Sequence, residues 1–298
     1  MRNKSDLFIS QEDRMNIANF KVDNEKCIGC GLCSKVCPSE IIYLNKEKKA
    51  QIVDVKEFGW NGCWKCQHCL AVCPKGAISI FNKLPDNSLL PPTKEEAAPL
   101  IDAVIANRRS CRRYLDKNVD ERIIEEIMMT IQNVPTGGNK QHVEYLLVDD
   151  KEQMQIFRDI LYKDMELKAS QGIYPKGFDE KSYNQMKQWE KNVRPDMLFC
   201  SAPHILIPHA KIGAGEWVQD VNIACAYFEL ICVSRGLGVT MMTYPLNVLE
   251  NSPDIKAMLK IPDDHYISMI VGFGYPEIKY ARGVQRQDTE KIKRISFI

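Results

Sequence analysis

The chain has 298 residues, 45% hydrophobic and 27% charged, the composition of an ordinary globular protein with room for two domains. Forty basic against thirty-nine acidic side chains leave a net charge of +1, which argues against a nucleic acid or an anionic membrane surface as partner. The longest apolar stretch, Ile223–Phe228 and then Leu230–Val233, is broken by Glu229 and is too short to span a bilayer.

In chain order, Met1–Phe20 is polar and lacks the apolar core of an export signal. Two cysteine runs of identical spacing follow, Cys27-x2-Cys30-x2-Cys33-x3-Cys37-Pro38 and Cys63-x2-Cys66-x2-Cys69-x3-Cys73-Pro74, using eight of the twelve cysteines. So many thiols without an export signal place the chain in the cytoplasm and argue against a disulfide framework. A zinc ribbon would use cysteine pairs around one ion, without a fourth cysteine before a proline. After each Cys-Pro comes a short apolar strand, Ile41–Leu44 and Ala77–Ile80; Lys46–Lys49 is predicted to turn and Gln51–Val55 to return. Asn82–Pro99, with four prolines, is predicted to be a surface linker. These boundaries give a domain at 18–82, a linker at 83–99 and a second domain at 100–298.

Beyond the linker, helical and extended patterns alternate. Asp120–Asn133 carries a helical stripe of Ile123, Ile124, Ile127, Met128 and Ile131, and Lys151–Ser170 is a second amphipathic helix. Val143–Val148, Pro203–Pro208 and Tyr266–Phe273 are predicted strands, the last two of buried type. Tyr174–Asp196 is polar and aromatic, the pattern of a mobile loop or short helix. Gly215–Arg235 is a long apolar helix closed by Gly236 and Gly238. The alternation predicts an α+β domain with helices covering a mixed sheet.

The cysteine runs resemble the cluster-binding loops of bacterial two-cluster ferredoxins. The resemblance implies two 4Fe–4S clusters with crossed ligands: Cys27, Cys30, Cys33 and Cys73 on one, Cys63, Cys66, Cys69 and Cys37 on the other. His68 lies within the second loop, where a hydrogen bond to sulfur would tune the potential.

The second domain resembles the nitroreductase family of FMN-dependent oxidoreductases, in four segments. These are Arg108-Arg109-Ser110-Cys111-Arg112-Arg113-Tyr114, Pro135-Thr136-Gly137-Gly138-Asn139-Lys140-Gln141, Gly236-Leu237-Gly238, and Gly272-Phe273-Gly274-Tyr275-Pro276. The resemblance implies that Arg108, Arg109 and Ser110 hold the flavin phosphate and ribityl chain, as guanidinium and hydroxyl donors suit them. It places Arg112 at the ring edge that gains negative charge on reduction, where a cation stabilises the reduced form. It further implies that Pro135, Thr136, Asn139 and Gln141 come from a partner subunit in a homodimer. Val239–Tyr244, with Met242 and Thr243, would present backbone N–H to the flavin. Arg282 or Arg286 would add a phosphate contact; spacing slightly favours the latter.

The sequence is therefore expected to encode an FMN-dependent enzyme whose clusters relay electrons to a small-molecule acceptor of nitroaromatic, quinone or enone type. Its donor would be ferredoxin or NAD(P)H, and no side chain is required as a nucleophile. Two alternatives stand beside this: an electron-transfer protein serving another redox protein, and an NAD(P)H-dependent nitroreductase with accessory clusters. Cys225, Cys232 and Cys200 are expected in the core. Cys111 fills a variable motif position, and His204, His209 and His265 show no ligand spacing.

Overall fold

A computed structural model describes residues 17–286 and 292–297. Most of the polar leader Met1–Phe20, and positions 287–291 and 298 of the second domain, lie outside the described residues. The chain divides into a unit reaching to Pro91, to which Gly137–Lys140 also belong, and a second from Pro92 onward.

The first unit is built on the repeat. Strand β1 (Lys21–Val22) pairs antiparallel with β4 (Ile78–Ser79), and β2 (Ile42–Leu44) with β3 (Ala50–Ile52). Helices α1 (Leu32–Val36) and α2 (His68–Ala71) each follow the second cysteine of a run. Pro38 and Pro74 stand just beyond these helices, where a residue without N–H cannot continue the ladder. Ala18, Ile42, Ala50, Val55, Leu70, Ile78 and Ile80 form the core with the buried thiols of Cys33, Cys63 and Cys69.

The second unit opens with helix α3 (Lys94–Asn107), which corrects the expected linker. Thr93 and Glu96 form a capping box: Glu96 N–H donates to Thr93 Oγ1 at 3.3 Å and Thr93 N–H to Glu96 Oε2 at 3.0 Å. This reciprocal cap satisfies two otherwise orphaned N–H groups and outweighs Pro99, which sits inside the helix.

Helix α4 (Glu121–Thr130) is capped by Asp120 and runs into a 3-10 turn at Ile131–Asn133. Strand β5 (Glu144–Val148) leads to helix α5 (Lys151–Ser170), whose Asp150 cap accepts from Gln153 N–H at 2.9 Å. The segment 174–196, expected as a mobile loop or short helix, contains helix α6 (Glu180–Asn192), started by an Asp179–Ser182 capping box. After it, Asp196 accepts from Arg158 Nε at 2.8 Å, from Phe199 N–H at 2.9 Å and from Ser201 N–H at 2.8 Å. Such charge-assisted bonds fix a turn that polarity alone reads as mobile.

Strand β6 (His204–Lys211) leads to helix α7 (Trp217–Ser234), then β7 (Gly238–Met242), α8 (Tyr244–Glu250) and α9 (Pro253–Met258). Gly236, at φ 77°, ends α7; its N–H donates to Val233 O and that of Leu237 to Cys232 O, both at 3.0 Å. This is a left-handed glycine cap. The single strand expected at 266–273 is two, β8 (His265–Ile267) and β9 (Ile270–Gly274). Between them, Ser268 Oγ donates to Asn222 Oδ1 at 2.6 Å, a side-chain bond that accompanies the break in the ladder.

The strands run β5-β6-β9-β7, with β8 also paired to β6. All four ladders are antiparallel; among the described residues the sheet's parallel component is the bridge from Ser110 to Val239. Side chains alternate across the sheet. Ile205 and Ile207 of β6 join Met154, Leu161, Met186, Val248 and Ile255 from α5, α6, α8 and α9 on one face. Leu206, Val239, Val271 and Phe273 pack on the other face with Ile124, Ile127, Ala224 and Phe228 from α4 and α7. Each fully buried side chain of this size contributes about 1.5–3 kcal/mol.

Candidate functional site

In the first unit the eight thiols fall into two rings around separate cavities. Cys27, Cys30, Cys33 and Cys73 line one, with Gly29 and Gly31; Cys37, Cys63, Cys66 and Cys69 line the other, with Trp64 and Gln67. Each ring takes three thiols from one run and one from the other, the crossed grouping expected from the motif.

Curling three thiols around a point needs left-handed backbone. Gly29 and Gly31 supply it at φ 68° and 76°, and Lys65 and Gln67 adopt the same region at 55° and 57° in the equivalent places. A side chain at Gly29 would also meet Lys48 O at 2.4 Å. Burial pushes the thiols of Cys33 and Cys63 up and that of Cys69 to about 12, with neighbouring thiols of the same ring adding to the shift. Buried sulfurs that repel one another's charge suit a shared cationic centre, which would hold all four as thiolates.

In the second unit the arginine run and the α7–β7 turn meet in one cleft of about 540 Å³, lined by residues 107–113, Arg194, Val233, residues 236–238, Pro276 and residues 278–280. The run is held as an extra edge to β7: Ser110 bridges Val239, and Cys111 N–H donates to Val239 O at 2.7 Å. Gly238 is required by this approach, since a Cβ there would lie 2.6 Å from Cys111 Sγ. Burial pushes the Cys111 thiol up, and it donates to Arg113 O at 3.2 Å.

The guanidinium groups differ in their partners. Arg108 Nε pairs with Glu229 Oε1 of α7 at 2.8 Å. Arg109 Nη1 donates to Ala106 O at 3.0 Å, while Nη2 is buried without a hydrogen-bond partner among the described residues. Arg112 Nη1 donates weakly to Ser110 O at 3.4 Å. The cleft also contains Arg194, Lys279 and Tyr280, none of which the sequence motifs identify. The Tyr280 ring centroid lies 5.9 Å from the Arg109 guanidinium carbon.

Other expected site residues lie elsewhere. Asn139, grouped with the first unit, donates through Nδ2 to Trp64 O at 2.9 Å. Thr136 Oγ1 accepts from Gln141 N–H at 2.9 Å, Gln141 Nε2 reaches Val134 O at 3.5 Å, and Pro135 is exposed. None of these lines the arginine cleft. The Met242 side chain is buried in the core on the α5 face, because alternation along β7 turns it there, and Thr243 stands at the start of α8 without a side-chain capping bond. Arg282 and Arg286 are exposed outside the cleft, and Lys279 is the basic residue of that segment that lines it. Cys200, Cys225 and Cys232 are buried, as expected of core thiols.

The nitroreductase family profile matches residues 105–275, and a 4Fe–4S dicluster domain matches residues 26–77. An Archaeoglobus fulgidus protein provisionally named NADH dehydrogenase/NAD(P)H nitroreductase is 25% identical over 175 residues, 58% of this chain and 84% of its own. An uncharacterized ferredoxin of Methanocaldococcus jannaschii is 41% identical over 59 residues, 20% of this chain and 73% of that one. A Desulfitobacterium hafniense nitroreductase, solved with bound FMN, shares the fold at TM-score 0.52 and 21% identity, covering 66% of this chain and 98% of its own.

Proposed function

The chain belongs to the nitroreductase family and carries a 4Fe–4S dicluster domain; from that premise we propose an FMN-dependent enzyme in which two clusters relay electrons to the flavin. The terminal acceptor is a small electrophile of nitroaromatic, quinone or enone type, and the donor is a ferredoxin or NAD(P)H. The observation that carries the reading is the crossed grouping of eight thiols in two rings within a chain that also holds the arginine cleft.

The donor sets fit both groups. Thiolates in fours are the ligand set of a 4Fe–4S centre. For FMN, Arg109 offers a buried N–H without a partner among the described residues, and Gly238 lets the arginine run pack directly against β7. Arg109 and Ser110 would hold the phosphate and ribityl chain, with Lys279 contributing charge. Arg112 would stand at the ring and favour its reduced form electrostatically. When bound, FMN supplies the chemistry that joins one-electron delivery to two-electron reduction. The protein contributes position and fixed charge.

A homodimer belongs to the same proposal. Helix α3 leaves Leu100, Ile101 and Ile105 more than half exposed, an apolar row that a second copy would cover.

The test is anaerobic purification, iron and flavin analysis, and stepwise reduction by reduced ferredoxin or NADH with both chromophores followed. About eight irons and one flavin per chain, with the clusters reduced before or together with the flavin, are expected. A chain that retains no flavin, or whose flavin is reduced at the same rate after cluster loss, would overturn the reading.

A further inference from the structure

Strands β5, β6 and β8 bring together three side chains that the redox reading does not use. Glu144 lies directly across the ladder from His209, and His265 pairs with Lys211, two residues further along β6. The two-residue period of a strand puts Glu144, His209 and His265 on one face of the sheet. One ligand atom from each lies within 4.8 Å of the others, and the Nδ1 atoms of His209 and His265 are 2.8 Å apart.

We propose that Glu144, His209 and His265 form a binding site for a divalent transition-metal cation of borderline softness, of which zinc is the representative. Two imidazoles and a carboxylate are a recurrent three-residue set for such ions, with the remaining position left to water. Magnesium and calcium, which take oxygen ligands, do not fit two imidazoles.

The geometry is close to that of a loaded site. In a tetrahedral zinc site with bonds of roughly 2.0–2.1 Å, neighbouring nitrogens stand about 3.3 Å apart. The two histidines reach that separation by a small ring rotation, without strand movement. Two Nδ1 atoms at hydrogen-bond distance share one proton, and both rings aim that nitrogen at the same point. A cation at that point replaces the shared proton, which moves to the far nitrogen of the same ring, so two neutral rings bind without net proton release.

The surroundings supply both rigidity and access. His209 is buried on a central strand, His265 is half-buried and Glu144 is exposed, so the set runs from the sheet to the surface. The nearby cation Lys211 is drawn to Asp264 at 3.2 Å, which leaves Glu144 as the charge facing the imidazoles. Binding would tie β8 to β6 and β5 through a coordination bond in addition to the ladder.

The test uses the full chain with its clusters loaded, cleared of loose metal on a chelating resin, in anaerobic equilibrium dialysis against radioactive zinc. Iron is measured in parallel, so that zinc entering the cysteine rings is recognised by iron loss. The expected result is one zinc per chain at micromolar free zinc without iron loss. Affinity should fall at least tenfold in Glu144→Gln and more in His265→Ala, a substitution at a half-buried position. Zinc, but not magnesium, should raise the melting temperature of the wild type and leave that of His265→Ala unchanged. Equal zinc uptake by wild type and His265→Ala, or no uptake by the wild type, would show that the pair is a hydrogen-bonded couple only and overturn the proposal.

Discussion

Gly29 and Lys65 hold the same left-handed backbone at equivalent places in the two cysteine loops, at φ 68° and 55°. The first loop meets the demand with glycine; the second meets it with a side chain that costs about 1–2 kcal/mol in that region. Lys65→Gly should therefore recover about 1 kcal/mol of stability, and Gly29→Ala should lose more, since its Cβ would strike Lys48 O. Denaturant midpoints of the two variants check this; a stabilising Gly29→Ala would contradict it.

The crossed rings predict which centre each outlying cysteine serves. Cys37→Ala should impair the centre of Cys63, Cys66 and Cys69, and Cys73→Ala that of Cys27, Cys30 and Cys33. Double variants read by iron content and low-temperature electron resonance distinguish the cases. Cys73→Ala should add a second loss to Cys66→Ala, but little to Cys30→Ala. The reverse pattern would mean that each run serves its own ring.

The arginines predict separable defects in flavin handling. Arg109→Ala should weaken FMN retention roughly 10- to 150-fold, the equivalent of about 1.5–3 kcal/mol for a charge-assisted bond. Arg112→Ala should instead lower the flavin midpoint by about 30 mV, which corresponds to about 1.4 kcal/mol for two electrons. Flavin content and spectroelectrochemical titration separate the two, and indistinguishable variants would refute the assignment.

Arg108 lines the proposed flavin cleft and is also engaged by Glu229 of α7. Arg108→Ala should cost both flavin affinity and roughly 1–3 kcal/mol of stability, by leaving a mostly buried carboxylate without its partner. Adding Glu229→Gln should restore much of the stability and none of the flavin affinity. Recovery of both in the double variant would show that Arg108 acts only through α7.

His204 predicts an acid-sensitive stability. Burial holds its imidazole down to about 4, and its Nε2 accepts from Val119 N–H at 2.9 Å. Above the ordinary value near 6.5 the ring is neutral in folded and unfolded chains alike. As pH falls below that, the unfolded chain takes up the proton first, so stability declines until the folded ring titrates. The loss is about 2 kcal/mol between pH 7 and 5. His204→Gln, which keeps an acceptor but does not titrate, should lose less than the wild type over that interval. Parallel pH profiles of the two would discount the mechanism.

Much of the architecture was legible because it rests on local signals. The periodicity of Lys151–Ser170 marks α5 over its whole length, and the crossed cysteine grouping follows from the resemblance of the two runs to those of two-cluster ferredoxins. What the sequence concealed depends on partners distant along the chain. Prolines disguised α3, although its Thr93–Glu96 capping box is a local signal. Polarity left α6 open between a mobile loop and a short helix. Arg194 and Lys279 belong to no local motif and enter the cleft only through the fold. His209 and His265 are 56 residues apart and appeared scattered until strand register placed them side by side.

The exchange of one thiol between the two cysteine loops makes them interdependent. Neither ring closes on its own segment: the first waits for Cys73 and the second for Cys37, so the hairpin β2–β3 must bring the loops together before either is complete. A truncation anywhere between Cys37 and Cys69 therefore deprives both rings at once. Loading of either centre reports on the finished tertiary structure of the whole first unit, and the two are expected to fill and empty as a cooperative pair.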